Sequence, residues 1–225
     1  MQAARSITAE FVGTALLLTL IAGSGIQVEQ MGIDPSAQLL AHAIAVGLGL
    51  GVLVAVFLPI SGSQFNPVVT IVAWARGSMP GLLVPGHLLA QVFGAIAGVA
   101  IANLTYGLPA LELSTNTRES LFGAEVLATF SLVLAIFALV AADRPEWLPG
   151  AVGGVVAAGI VATASTGFAN PAVTIARMFT ESYTGIAPAS VPEFLSAQLV
   201  GAGLAGAAVL WWWPSAREDL DDVEA

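Results

Sequence analysis

The chain has 225 residues, of which 57% are hydrophobic and 9% are charged, and this composition excludes an ordinary water-soluble domain and predicts an integral membrane protein. The net charge of −9 comes from six arginines, no lysine and fifteen acidic residues, and much of it lies in the loops and at the carboxyl end. The absence of cysteine excludes disulfides and thiol chemistry.

Six long apolar segments follow one another along the chain, each near the roughly 20 residues that cross a hydrocarbon core. They cover residues 7–28, 38–59, 82–105, 120–142, 148–164 and 189–213. Two further apolar segments, residues 66–75 and 170–178, cover only about half a bilayer each at a rise of about 1.5 Å per residue. The pattern predicts an all-α membrane protein with six transmembrane helices and two half-helices.

Each short segment begins at an Asn-Pro pair that follows a turn-forming run. The two runs read Ser-Gly-Ser-Gln-Phe-Asn-Pro-Val over residues 61–68 and Ser-Thr-Gly-Phe-Ala-Asn-Pro-Ala over residues 165–172. Asn is among the strongest helix N-caps, and Pro is tolerated in the first turn because its missing N–H would have no partner there. Two helix starts inside the membrane predict two re-entrant half-helices.

The two halves of the chain repeat. Ala-Glu-Phe-Val-Gly-Thr at residues 9–14 corresponds to Ala-Glu-Val-Leu-Ala-Thr at residues 124–129. Each unit has three spans, an odd number, so the second unit is inserted upside down and the half-helices meet near the midplane from opposite faces. We expect one domain over residues 1–213, with repeats at about 7–105 and 120–213, followed by an acidic tail at 214–225.

The placement of the arginines predicts the orientation. With both termini on one side, four arginines share that side and two lie opposite. The first group is Arg5, Arg76, Arg144 and Arg217, and the second is Arg118 and Arg177. Because cytoplasmic loops carry an excess of basic residues, both termini and the acidic tail are expected in the cytoplasm.

These motifs resemble those of the aquaporin, or major intrinsic protein, family, and the likeness runs over about residues 7–213. It rests on the Ala-Glu-Phe-Val-Gly-Thr opening, on Ser-Gly-x-x-Phe-Asn-Pro in the first half and on Asn-Pro-Ala in the second. The resemblance implies six tilted spans, one pore per protomer, a homotetramer and a passive channel rather than an enzyme. It implies no cofactor and no metal, and the expected partners are the lipid bilayer, water and small neutral solutes, with no nucleic acid. The compact loops resemble bacterial members, which implies a bacterial inner membrane.

The expected pore centre lies where the two Asn-Pro motifs meet. The side-chain amides of Asn66 and Asn170 would offer donors to a passing neutral oxygen, while the half-helix dipoles oppose cations. The alternative is that both asparagines only cap their helices. Val68 stands where the family usually has Ala and adds bulk near the midplane. The full motif positions are Asn66, Pro67, Val68, Asn170, Pro171 and Ala172.

Two carboxylates, Glu10 and Glu125, lie within spans at matching places in the two halves. A carboxylate inside a membrane is expensive and marks a function by default, so a proton-carrying role is one interpretation. The resemblance implies instead that they accept hydrogen bonds from the backbone of the loops before the half-helices, and this structural role is favoured. His42 and His87 have no counterpart in the other half, so packing or loop contacts are expected rather than gating.

The resemblance also implies a selectivity filter, and here the sequence departs from the family. Val173 follows Asn-Pro-Ala where most members have Arg. Water-selective members usually carry His on the fifth span and an aromatic residue on the second, and neither is present. A one-residue gap leaves two choices at two further positions, so the remaining filter positions are Val46, Ala158 or Gly159, and Gly167 or Phe168. We expect a wide, apolar and uncharged filter.

Arg177 lies four residues after Val173, about one helical turn farther outward on nearly the same face. One hypothesis places it in the outer vestibule, where it replaces part of the missing filter charge. The alternative is that it caps the carbonyl end of the half-helix and complements the helix dipole there.

The sequence therefore predicts a channel for small uncharged solutes, such as glycerol, urea-like molecules or neutral metalloid species, together with water. The run Asn-Pro-Ala-Val-Thr-Ile-Ala-Arg at residues 170–177 is similar to aquaporin-like proteins of bacterial arsenic-resistance operons. Three alternatives stay open: a water-selective aquaporin, a secondary transporter of the same fold and a structural membrane protein. A membrane enzyme is not expected, since no nucleophile–base set, metal-ligand cluster or phosphate-binding loop is apparent.

Overall fold

The structure, a computed structural model, describes residues 1–213, and every regular element in that part of the chain is a helix. The predicted acidic tail at 214–225 lies outside the described residues. Eight α-helices follow in order: α1 Gln2–Gln30, α2 Pro35–Ser61, α3 Pro67–Ala75, α4 Val84–Thr105, α5 Phe122–Ala141, α6 Leu148–Ala162, α7 Pro171–Ala176 and α8 Val191–Trp212. Short 3₁₀ turns precede α4, α6 and α8 and follow α7.

Six of the helices, counted with their adjoining 3₁₀ turns, are long and apolar enough to cross a membrane. The all-α prediction with six spans is confirmed, and the remaining helices α3 and α7 are the two short ones. α1 and α2 extend several residues beyond the predicted spans 7–28 and 38–59. The reason is that helical hydrogen bonding continues into polar residues that the apolar pattern does not count.

The helices pack in two corresponding sets. α1 lies against α4 in the first half as α5 lies against α8 in the second, and α2 packs on α6 where the halves meet. The half-helices α3 and α7 contact each other, and each of them also contacts both α4 and α8. Glycine permits the closest crossings: a Cβ added to Gly98 would overlap the Ala15 carbonyl, and one added to Gly201 would overlap the Val126 carbonyl.

Two loops pack together on one face of the molecule, which we call the distal face; it carries residues 106–121 and 180–190. The N–H of Ser114 donates to the Met178 carbonyl at 2.8 Å, and the N–H of Ala187 donates to the Asn116 carbonyl at 2.7 Å. The carboxylate of Glu181 accepts from Thr115, and these hydrogen bonds lower the pKa of Glu181. The opposite, proximal face carries residues 76–80 and 142–147.

Candidate functional site

A cavity of about 80 Å³ runs between the two halves of the protein, and its apolar walls come mainly from α2 and α6, with further apolar residues from α1 and α5. Its lining residues recur every fourth position on each helix, so that they form one stripe. On α2 the stripe is His42, Val46, Leu50, Val54 and Leu58; on α6 it is Leu148, Val152, Val156 and Ile160. From His42 to Leu58 the stripe extends about 24 Å at a rise of about 1.5 Å per residue, most of the thickness of a hydrocarbon core.

The opposite wall of the cavity is formed by the loops that lead into α3 and α7. Residues 62–66 and 166–168 line it, together with Asn170, Val173 and Arg177. Because these loops are not helical, their backbone groups need partners that a membrane does not supply. The polar side of the cavity therefore depends on how the two loops are held.

Both loops use left-handed backbone at equivalent positions. Phe65 and Ala169, the residues before the two asparagines, have φ of 48° and 50°. Two positions earlier, Ser63 has φ of 48° and Gly167 has φ of 55°. Left-handed backbone costs on the order of 1–3 kcal/mol at a non-glycine residue, so the surrounding contacts must enforce it.

Two buried carboxylates supply those contacts. Glu10 accepts from the N–H groups of Gln64 and Phe65 at 3.0 and 2.7 Å. Glu125 accepts from the N–H groups of Phe168 and Ala169, both at 2.9 Å. Both side chains are fully buried, so each carboxylate ties one loop to the helix beside it.

Two glutamines complete the arrangement in a role that was not predicted from the sequence. Gln91 donates from Nε2 to both Glu10 and the Thr70 hydroxyl at 2.8 Å. Gln198 donates in the same way to Glu125 and the Thr174 hydroxyl, again at 2.8 Å. The signal was in the repeat, since an Ala-Gln pair stands at residues 90–91 and again at 197–198.

The two asparagines meet in the middle of the cavity and bond across the two motifs. Asn66 Nδ2 donates to the Ala169 carbonyl and Asn170 Nδ2 donates to the Phe65 carbonyl, each at 2.8 Å. Their Oδ1 atoms cap α3 and α7 by accepting backbone N–H groups, including that of Val68 at 3.1 Å. An amide nitrogen carries two hydrogens, so each asparagine keeps one donor for the cavity. Pro67 and Pro171 begin the half-helices, and Val68 and Ala172 are buried behind them.

The predicted filter positions do not all reach the cavity. Val46, Gly167, Phe168 and Val173 line it. Gly159 lies behind Gly167, and the two glycines allow α6 to touch the loop, since a Cβ added to Gly167 would stand 2.9 Å from the Gly159 carbonyl carbon.

Ala158, the alternative to Gly159 at this filter position, is exposed on the outside of α6 and does not line the cavity. The α6 residues that face the cavity include Val156 and Ile160. A residue midway between them is rotated by roughly half a turn to the other side of the helix.

Arg177 lies closer to the filter positions than the sequence analysis expected. It is buried, its guanidinium carbon stands 3.4 Å from the centre of the Phe168 ring, and its Nε donates to the Thr184 carbonyl. This end of the cavity is therefore lined by a charged side chain as well as by the predicted filter positions. The reason is that α7 ends at Ala176, and side chains of a helix lean toward its N-terminus, so the long arginine covers the preceding turn.

His42 lines the distal end of the cavity and belongs to the same stripe of α2 residues as Val46. Its Nδ1 lies 2.8 Å from Ser24 Oγ, and its ring meets the Tyr183 ring edge-on at 5.9 Å. His87 instead lies between Ser6 and Gln64, at 2.9 and 3.1 Å. Of the two histidines for which packing was expected, His42 reaches the cavity, and His87 does not line it.

A second, polar cavity of about 490 Å³ opens on the distal face above His42. It is lined by Glu29, Asn116, Thr117, Arg118, Glu181, Ser182 and Tyr183. Arg118 donates to the carbonyls of Gly185 and Tyr183, and burial lowers the pKa of its guanidinium, although an arginine stays charged at neutral pH. Tyr183, which lines this cavity, packs on the ring of His42, which lines the apolar one.

Comparison with known proteins gives a consistent result. The profile of the family described as major intrinsic protein matches residues 1–164. The chain is 40% identical over 215 residues to aquaglyceroporin AqpS of Rhizobium meliloti (strain 1021), an alignment that covers 95% of this chain and 92% of the relative. It is 30% identical to aquaporin TIP1-1 of Arabidopsis thaliana, with 91% and 85% covered.

A solved structure has the same fold. The X-ray structure of the aquaglyceroporin from Plasmodium falciparum superposes with a TM-score of 0.74 at 23% sequence identity, and covers 91% of this chain and 94% of that one. At this identity the likeness concerns the arrangement of the helices.

Proposed function

Because this chain belongs to the major intrinsic protein family, it is a membrane channel for small uncharged solutes, and we propose that the cavity between α2 and α6 is its pore. The observation that carries the proposal is the meeting of Asn66 and Asn170 in a continuous apolar cavity. Each asparagine holds the opposite loop and keeps one N–H for a passing oxygen. A solute that sheds water on the apolar walls regains hydrogen bonds at this point, whereas a cation is opposed by the free N–H groups and by the positive ends of the two half-helix dipoles.

The proposed substrates are glycerol, urea-like molecules or neutral metalloid species, together with water. Two observations support this range over strict water selectivity. The walls beside Val46 and Val173 are apolar, so they tolerate the carbon or methyl groups of a larger solute. The relative that is 40% identical over nearly the whole chain is named an aquaglyceroporin.

Further parts of the proposal concern assembly and placement. We propose a homotetramer with one pore per protomer, in the inner membrane of a bacterium, with the proximal face and both termini in the cytoplasm. The arginine distribution supports the orientation, since Arg76 and Arg144 lie in the proximal loops and Arg118 lies in a distal one. The bacterial source of the relative in Rhizobium supports the membrane.

The proposed filter consists of Val46, Gly167, Phe168 and Val173, with Gly159 behind Gly167. Stopped-flow light scattering on proteoliposomes tests it with water, glycerol and a neutral metalloid such as arsenous acid. Val173→Arg is expected to lose the larger solutes and to retain water, because it fills the apolar side and adds a second guanidinium beside Arg177. Val173→Met is the control for bulk without charge and is expected to reduce glycerol flux less than Val173→Arg does.

Each result of this experiment bears on a different part of the proposal. If the wild type passes no solute above empty liposomes, the channel function itself is contradicted. If Val173→Arg passes glycerol as fast as the wild type, the channel stands but Val173 is not part of its filter.

A further inference from the structure

The distal end of the cavity brings together two polar side chains from distant parts of the sequence. Arg177 follows α7 and His42 lies in the second turn of α2, and both line the cavity although each is only 4% exposed. They are linked through adjacent residues, since Arg177 donates to the Thr184 carbonyl and His42 packs on the Tyr183 ring.

The guanidinium of Arg177 has unused donors. Its Nε is bonded to Thr184 and its plane lies over Phe168, but within residues 1–213 no carboxylate pairs with it. The two terminal nitrogens are not among the fully buried atoms that lack a hydrogen-bond partner, so they are accessible from the cavity that Arg177 lines. A charge this deeply buried needs acceptors, so the oxygens that satisfy it must come from molecules in the cavity.

The hydrogen bonds of Ser24 indicate which ring nitrogen of His42 is a donor and which is an acceptor. Ser24 Oγ donates to the Ile21 carbonyl at 3.2 Å, which uses the only hydrogen of the hydroxyl. We assign that hydrogen to the Ile21 carbonyl, which makes His42 Nδ1, at 2.8 Å, the donor to Oγ and leaves Nε2 of the neutral ring as an acceptor. Nε2 bonds to no described residue, and like the terminal nitrogens of Arg177 it is not a fully buried atom, so it is accessible from the cavity.

We infer that Arg177 and His42 form a donor–acceptor site at the distal end of the pore that selects hydroxylated neutral solutes. The oxygen of a solute hydroxyl accepts from Arg177, and its hydrogen is donated to His42 Nε2. The apolar side of the same solute faces Val46 and Val173. In this site Arg177 supplies the guanidinium that is absent at position 173, where Val173 stands.

The inference rests on the proposed pore, and the experiment separates the two. Proteoliposome flux is measured for glycerol and for 1,3-propanediol, which lacks the central hydroxyl, after subtraction of the flux through empty liposomes. The ratio of the two fluxes reports hydroxyl selection and is insensitive to how much folded channel is present. If the wild type passes neither solute, the pore proposal fails and this inference fails with it.

Arg177→Met keeps a long side chain over Phe168 and removes the charge and donors. It is expected to lower the glycerol to 1,3-propanediol ratio by about threefold or more, since a hydrogen bond to a charged donor is lost. Arg118→Met is the matched control, because Arg118 also lies over Phe168, at 5.2 Å, but donates to loop carbonyls outside the cavity. A ratio that stays at the wild-type value in Arg177→Met, or falls equally in Arg118→Met, would overturn the inference.

Substitutions at His42 provide a second test in a chain that retains Arg177. His42→Leu is expected to lower the ratio, whereas His42→Gln keeps an acceptor oxygen and is expected to restore it at least in part. If His42→Leu and His42→Gln have the same ratio as each other, His42 does not act as an acceptor and the donor–acceptor site is wrong. This test also applies if Arg177→Met does not fold.

Discussion

Single buried residues hold the loops before α3 and α7 in a conformation that the backbone would not adopt by itself. Glu125 accepts from Phe168 N, Ala169 N and Gln198 Nε2, while Ala169 is held at a φ of 50°. A buried carboxylate that is fully hydrogen-bonded can stay in a membrane because its partners replace water. Glu125 is thus a structural residue, and its loss is expected to disturb the proposed pore.

Glu125→Gln is expected to destabilise the protein by about 2–4 kcal/mol. The NH₂ group of the glutamine would replace one carboxylate oxygen and would face an N–H donor that then has no acceptor. Thermal unfolding in detergent would measure this as a lower midpoint, and glycerol flux per folded protein should fall as well. Glu193→Gln is the control, since Glu193 also accepts two backbone N–H groups, those of Leu121 and Phe122, but at a partly exposed site where water can substitute. Equal midpoints for the two variants would contradict the role of Glu125.

The guanidinium of Arg177 lies nearer the predicted filter positions than the helical spacing of residue 177 indicates. Helical spacing puts it one turn beyond Val173, yet its guanidinium stacks on Phe168, which is itself a predicted filter position. The backward lean of helical side chains and the length of arginine account for the difference. The charge that is absent at Val173 is therefore present nearby.

At the level of helices, close approach depends on glycines that face a neighbouring backbone. Gly98 of α4 lies against the Ala15 carbonyl of α1, with no room for a methyl group. Gly203 of α8 faces outward with no atom within 4 Å of an added Cβ. In a membrane, where lipid is as apolar as the helix surface, this packing is a main source of association between helices.

Gly98→Ala is expected to destabilise the protein by about 1–3 kcal/mol through overpacking. Gly203→Ala is the matched control and is expected to be neutral or to stabilise by up to about 1 kcal/mol, because Ala favours the helix and meets no neighbour. Thermal unfolding of both variants in the same detergent measures the difference. The packing argument is wrong if Gly98→Ala unfolds at the same temperature as Gly203→Ala or higher.

For the whole molecule, the two faces are expected on opposite sides of the membrane, with the distal face outside. The chain has no cysteine, so single cysteines can be introduced without background. Thr117 on the distal face and Ser78 on the proximal face are both exposed. Thr117→Cys is expected to react with a membrane-impermeant maleimide in intact cells that have been stripped of their outer membrane, and Ser78→Cys only after lysis. The reverse pattern would invert the proposed orientation.

The sequence by itself determined the architecture and the centre of the site. Span lengths follow from the thickness of a bilayer, the Asn-Pro starts follow from capping chemistry, and both are local properties that composition and motif record. Repetition added long-range information, because matched carboxylates and asparagines in the two halves identified Glu10, Glu125, Asn66 and Asn170 before any contact was known. Gln91 and Gln198 carried the same signal.

Only the tertiary structure decided which side chains line the distal end of the cavity. The rotation of α6 removes Ala158 from it, the end of α7 brings Arg177 back over Phe168, and the packing of α2 on the distal loops brings His42 to the cavity. Sequence spacing fixes a residue's phase on its own helix, but where that phase points depends on the neighbouring elements and on where each helix ends. These relations between elements are what folding adds to the pattern.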